Sequence, residues 1–550
     1  MPTRELRTSR DTSKPRRQRL LGVFAAAVVG SIAASGPASF RTTTVPRAMT
    51  DSPTARAPAA RADLASEVRA AVLASKLNPG AIGYTILDCH GETVLAASNA
   101  TLPLIPASNL KALTTAAAID MLGERFAFET RLVLTRNGDR TTLTLVGSGD
   151  PALFDPEVLG WSGPRGNWTT VDAAIDAWSG ALLAAGVRRV DEFVVDGRIF
   201  DNEPIPTGDR KWIANRDAGT YAVGVWGLNI GANAATLRIA GRDGAKPSIA
   251  SAEPPFPFTL TRNTATVNRR AKETFSITYG DGAGGVEIKG NLRRTSAEYA
   301  VGVHQPMPLA AEMIAKGLSS RGIAVTAWTV ASASDPAATG VTVQPVLSTP
   351  IEAVLYGANT HSKNIYAEAL VKRLGAHWTN PGDRPIGPQY RSGSWSSGHD
   401  AILEWLTKRL STECKGGLCL ADGSGLSDRN QVTADLMARM LASMASDPRH
   451  ARTYLASFAR PSGEGTLEKR FKDAELHGMS VFAKSGYIND VSCLSGVIVS
   501  RSGEAVAWSI LCNDLSGKVR EAKALQEKIV ESIARTLADR APATTAAAQP

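Results

Sequence analysis

Residues 104–122, LIPASNLKALTTAAAIDML, form a run of helical length in which almost every side chain suits burial, yet Lys111 stands in its middle. A helix that is apolar all round belongs inside a core, so this segment constrains the fold more than any other. Pro103 and Pro106 precede it and Ser108 falls in its first turn, as expected of a helix start. Ser108 and Lys111 are three residues apart, on one helical face and within reach of each other. A serine at a helix N-terminus has an outward, unpaired N–H, and the helix dipole there favours developing negative charge. A lysine one turn further in is desolvated, which lowers its pKa toward a neutral amine able to act as a base. The helix alone also fits a snorkelling surface lysine. Ser-x-x-Lys arises about twice by chance in a chain this long, so the pair needs support from elsewhere.

With 550 residues the chain exceeds what one hydrophobic core organises, and two or more domains are expected. The net charge of +9 is concentrated at one end, because residues 1–36 hold seven Lys or Arg against two acidic residues. The +4 left for the body is too weak and scattered for a nucleic-acid partner. The basic SKPRRQR is followed by an apolar run from Leu20 to Ala34 and then by small residues. That run fits a signal-peptide core and is short for a spanning helix, so export is expected, with an uncleaved anchor as the other reading.

Residues 37–62, rich in Pro, Ala, Ser and Thr, read as a linker, and 541–550 read as a tail. The expected organisation is α+β and multidomain: a main domain from 63–135 and 305–540, interrupted by an insert at 136–304. The insert divides into an α/β part at 136–220 and a β-rich part at about 221–294, where short strand-like runs alternate with Gly and Pro clusters. The five cysteines fit an oxidising compartment. Cys414 and Cys419 bracket a loop that a disulfide could close. A two-residue hairpin turn at Ser502-Gly503 would set Cys493 opposite Cys512, as a disulfide or as two buried thiols. Cys89 is left over as a small core residue.

Two further triplets carry chemistry. In HSKNIYAEAL, Ser362-Lys363-Asn364 stands ahead of a helix, where Ser or Asn equally serves as an N-cap. In VFAKSGYINDVSCLSG, Lys484-Ser485-Gly486 lies in a strand run, where the glycine admits a close backbone or ligand and an exposed lysine at a bulge is the alternative.

Ser-x-x-Lys at a helix start, Ser-x-Asn at a later one and Lys-Ser-Gly on a late strand resemble, in that order, the signature of penicillin-binding proteins and serine β-lactamases. The separation of 254 positions from Ser108 to Ser362 exceeds what a compact β-lactamase holds. Together with GSGDP (147–151), YAVGVWGLNIGAN (221–233), NIYAEAL (364–370), DGSGLS (422–427) and GTLEKRF (465–471), they resemble the D-alanyl-D-alanine carboxypeptidase/endopeptidase group, the class C low-molecular-mass penicillin-binding proteins (peptidase family S13). The resemblance covers roughly residues 63–540.

It implies a transpeptidase-like domain, an antiparallel sheet flanked by helices, with a nested insert between the first two motifs. It also implies a serine-type D-Ala-D-Ala carboxypeptidase or endopeptidase acting on peptidoglycan stem peptides and acylated by β-lactams. Catalytic roles fall to Ser108, Lys111, Ser362, Asn364 and Lys484. Substrate contacts fall to Ser485, Gly486, Tyr487 and, for the stem side chain, to Asp196, Asn489 and Arg429. Arg429 stands one residue later than the pattern, because Asp428 follows Ser427 directly. No cofactor is implied, and the seven histidines show no HExxH or similar metal-ligand spacing. A β-lactamase and a wall-binding protein with a residual site are the alternatives.

Overall fold

The structure, a computed structural model, describes residues 58–540 apart from 91–92, 216–218, 381–390 and 412–416. The expected leader, most of the linker, the tail and Cys414 lie outside the described residues. The first helix, Pro58–Ala74, begins within the segment read as linker. Among the described residues no helix is long and apolar enough to cross a membrane.

Two five-stranded sheets organise the fold. The first is antiparallel, in the order Ser480–Ile488, Val491–Val499, Ala505–Cys512, Ile82–Asp88, Val94–Ser98, so chain-terminal segments close one sheet. Its central strands are buried on both faces because helices cover both, and they therefore read as continuous apolar runs. The N-terminal helix and Val519–Arg540 cover one face with Leu64, Val68, Leu525 and Ile529. The helix Ala434–Ala445 covers the other face, and in the same core, touching the sheet at the strand 480–488, lies the helix Leu110–Leu122, whose residues Leu110–Ile119 are all buried. Each buried Leu or Ile of that helix contributes about 2 kcal/mol of transfer free energy.

The second sheet is mixed and belongs to the chain between the first two motifs. Its order is Trp328–Val330, Glu192–Asp196, Arg140–Val146, Ala127–Asn137, Val341–Pro350. It reaches beyond both ends of the 136–304 segment, because the returning strand 341–350 pairs antiparallel with 127–137. Two three-stranded sheets between residues 234 and 302 form the β-rich part.

The hairpin 491–512 corrects one expectation. Val499 pairs with Ala505 and Cys493 with Leu511, one residue out of the register a two-residue turn would set. Ser500 N–H instead bonds to Glu504 O across a three-residue loop with Gly503 at φ 90°, the form in which glycine takes the left-handed position. A one-residue slip sends side chains to opposite faces. Cys493 consequently lies in the core on the Leu110–Leu122 side and Cys512 in the core on the other, both as free thiols.

Candidate active site

Ser108 sits in a 3-10 turn, Ala107–Asn109, that leads into the buried helix. Ala107 holds φ 47°, strain of order 1 kcal/mol or more for a residue with a side chain, and neighbours fix it on two sides. A Cβ on Gly425 would lie 1.8 Å from Ala107 O, and one on Gly486 would lie 2.6 Å from Pro106 O and 3.1 Å from Ser108 N. Only glycine at both positions lets the DGSGLS loop and the strand 480–488 close on the serine.

Lys111 Nζ lies 2.8 Å from Ser108 Oγ, 2.7 Å from Asn364 Oδ1 and 2.9 Å from Ser424 O. The side chain is fully buried, and that desolvation pulls its pKa down to about 7 against the opposing fields of Asp422 and Glu368. Asn364 Oδ1 and Ser424 O are acceptors only. A neutral amine therefore gives them its two N–H groups and turns its lone pair to Ser108 Oγ.

The two later triplets meet on the other side of the serine. Lys484 Nζ donates to Ser362 Oγ (2.9 Å) and Ser485 O (2.8 Å), while Asn109 Nδ2 donates to Lys484 O (2.9 Å). Lys484 is completely buried, and desolvation together with the nearby Lys111 holds its pKa well below the usual lysine value. No carboxylate among the described residues pairs with it, so the pocket at Ser362 and Ser485 suits an anion. Ala483 donates its N–H off the free strand edge to Ala459 O, and by the two-residue alternation Tyr487 turns its N–H to that edge too.

Ser362 takes φ 59°, held by what surrounds it. Lys363 pairs with Asp155 (2.8 Å) and Glu157 (3.1 Å), and the His361 ring stacks on Trp161 at 4.1 Å. Asn364 opens the helix Asn364–Thr379 and donates from Nδ2 to Tyr221 O (2.8 Å). A cavity of about 380 Å³ adjoins Ser362 and Asn364, with Tyr221, Asp155, Glu157 and Glu253 in its wall.

Sequence reasoning assigned no role to two buried carboxylates that complete this centre. Glu368 accepts from Ser424 N (2.8 Å), Gly423 N (2.8 Å) and Trp395 Nε1 (2.9 Å). Asp422 accepts from Ser427 N (2.6 Å), Gly425 N (2.7 Å), Asn430 Nδ2 (2.8 Å) and Trp212 Nε1 (3.0 Å). Burial pushes both carboxyls upward, Glu368 to about 7. Their signal was present in NIYAEAL and DGSGLS, which carry an acid apiece in otherwise apolar or small surroundings.

The residues expected to hold the stem side chain are not drawn together in the same way. Asp196 is buried and its carboxylate is taken up by Arg198 at 2.7 Å. Arg429 and Asn489 are exposed, and Asp428 pairs with Lys211 at 3.5 Å. Tyr487 is exposed beside Ser485 and Gly486. One trio among the described residues, Asp120, Asp447 and His450, brings possible metal-ligand atoms within 4.8 Å of one another. Arg409 and Arg449 already bind both of its carboxylates, which makes it an ion-pair network.

The sequence profile of the D-Ala-D-Ala carboxypeptidase 3 (S13) family matches residues 64–536. The D-alanyl-D-alanine carboxypeptidase of Actinomadura sp. (strain R39) is 27% identical over 495 residues, 86% of this chain and 85% of that one. A carboxypeptidase of Mycobacterium tuberculosis is 26% identical over 461 residues, covering 82% and 80%. In fold, the chain is similar to penicillin binding protein 4 from Haemophilus influenzae, with a TM-score of 0.64 at 22% identity over 87% of this chain and 99% of that one. The same protein has been solved with a bound β-lactam, with a TM-score of 0.60 at 21% identity over 85% and 97% of the two chains.

Proposed function

This chain belongs to the D-Ala-D-Ala carboxypeptidase 3 (S13) family, and from that premise we propose that it is a serine peptidase acting on peptidoglycan stem peptides through an acyl-enzyme on Ser108. The observation that carries the reading is the buried Lys111 amine, 2.8 Å from Ser108 Oγ with acceptors on its remaining sides. Ser108 Oγ forms a bond to the penultimate D-Ala carbonyl carbon and passes its proton to Lys111 Nζ. The Ser108 and Tyr487 N–H groups take the oxyanion, which is worth about 3 kcal/mol of barrier where such donors are preorganised. Lys484 and Ser485 receive the terminal carboxylate of the substrate. Ser362, bonded to Lys484, relays a proton to the departing amine as the C–N bond breaks, and water then hydrolyses the ester. Asn364 holds Lys111 on one side and the substrate amide on the other.

Carboxypeptidase action on a free D-Ala-D-Ala end and endopeptidase action on cross-links use the same chemistry. β-Lactams acylate Ser108 by the same attack. The basic and apolar leader supports export to the cell envelope, and N-terminal sequencing of the protein recovered from cells is expected to start near residue 37.

The test is intact-mass measurement over time with a penicillin. The wild type gains a long-lived adduct and Ser108→Ala gains none. No adduct on the wild type would sink the reading, and rapid loss of the adduct would mark a β-lactamase instead. Release of D-alanine from a pentapeptide, set beside cleavage of cross-linked dimers, then separates the two peptidase activities.

A further inference from the structure

We infer that Glu368 is a positioning residue for Lys111: its carboxylate gathers the N–H groups of Gly423 and Ser424 and thereby aims the Ser424 carbonyl at the lysine amine. The inference rests on the roles of Ser108 and Lys111 set out above. Both Glu368 oxygens are committed to one stretch of loop, Oε1 to Ser424 N and Oε2 to Gly423 N, each at 2.8 Å. The carbonyl of that same Ser424 lies 2.9 Å from Lys111 Nζ. Asn364 and Glu368 are four residues apart on the helix Asn364–Thr379 and share a face. One rigid element thus sets both acceptors of the amine, Asn364 Oδ1 directly and Ser424 O through the loop, and the lone pair is left for Ser108.

The carboxylate also acts through its charge. Backbone N–H groups and the Trp395 indole N–H donate to both its oxygens and favour the anion against the burial that pushes the carboxyl up to about 7. The charged groups that face Lys111 are Glu368, Asp422 and Lys484. The two anions favour the ammonium form and Lys484 with burial disfavours it, so the balance places the amine where it can both take and return a proton. An amide in place of Glu368 keeps the shape, loses the charge and sets an NH2 group against an N–H donor.

The test uses full-length chains and the rate constant for acylation by a fluorescent penicillin, followed along the acid limb of the pH profile beside thermal unfolding. Glu368→Gln is expected to acylate about 10²-fold more slowly, the loss that misplacement of a catalytic group brings. Its acid limb moves to lower pH because an anion near Lys111 is gone. Glu368→Asp keeps the charge and leaves the limb where the wild type has it, while its rate falls. Trp395→Phe keeps a ring and removes a donor that favours the carboxylate, so Glu368 is protonated over more of the range, the limb moves to lower pH as in Glu368→Gln, and an unmoved limb overturns the inference if Glu368→Gln does not fold. A folded Glu368→Gln with a wild-type rate, or with its limb unmoved, overturns the inference while leaving the peptidase reading intact. A wild type that takes no penicillin brings down that reading and this inference with it.

Discussion

At Lys111 the competition between burial and charge decides the chemistry. Desolvation brings the amine to about 7, so near neutral pH a substantial fraction is the free base. The rate of penicillin acylation is therefore expected to be low where Lys111 is protonated, to rise as pH passes through about 7 and then to level off. Lys111→Arg keeps a positive charge that cannot be removed near neutrality, and it should lose about 10²–10⁴-fold in acylation rate, the range a positioned general base supplies. Stopped-flow acylation across pH checks both expectations. A wild-type rate that did not change through neutral pH would remove Lys111 from the role of base. The lysine itself was legible in the sequence because it interrupts an apolar helix. Its charge state was not, because Glu368 and Asp422 lie far along the chain and only folding brings their fields to bear.

At the scale of elements, three pieces of backbone meet around one hydroxyl: the turn 107–109, the loop 422–427 and the strand 480–488. Gly486 is where the strand touches the turn, and Gly486→Ala sets a Cβ 2.6 Å from Pro106 O and 2.9 Å from Asn109 N. Backbone on both sides leaves no side chain to yield, so the strand has to move off the serine. The variant should remain folded, with a lowered melting temperature, and acylate about 10²-fold more slowly. Wild-type acylation by Gly486→Ala would show that the strand does not need this contact. The Lys-Ser-Gly triplet could be read from sequence because it sits in a strand pattern, whereas the hairpin that follows could not be registered. Whether Gly503 takes a two-residue or a three-residue loop depends on how strands 491–499 and 505–512 lie against the rest of the sheet, and that one-residue choice separates Cys493 from Cys512.

Across the whole molecule, the long segment between the first two motifs reaches the loop 422–427. Trp212 Nε1 donates to Asp422, Asp209 accepts from Ser427 Oγ, and Lys372 on the helix Asn364–Thr379 donates to Asp201 Oδ1 and Glu203 O. Residues 201–212 thus clamp the loop whose Ser424 carbonyl faces Lys111. Trp212→Phe removes one donor from the buried Asp422 and should cost about 1–3 kcal/mol of stability. It should also slow acylation, although Trp212 contacts neither Ser108 nor Lys111. Thermal unfolding and penicillin acylation of the same preparation check this, and a stability loss with unchanged acylation would confine the clamp to a structural role. By itself the sequence determined the α+β class, the three motifs and their order, since each depends on local periodicity and on residue types that chemistry rarely substitutes. Tertiary structure alone decided what those motifs share: the buried carboxylates behind Lys111, the glycine contacts that close the turn, the hairpin register and the capture of Asp196 by Arg198. Each of these is set by distances between segments far apart in the chain, and no local pattern encodes such distances.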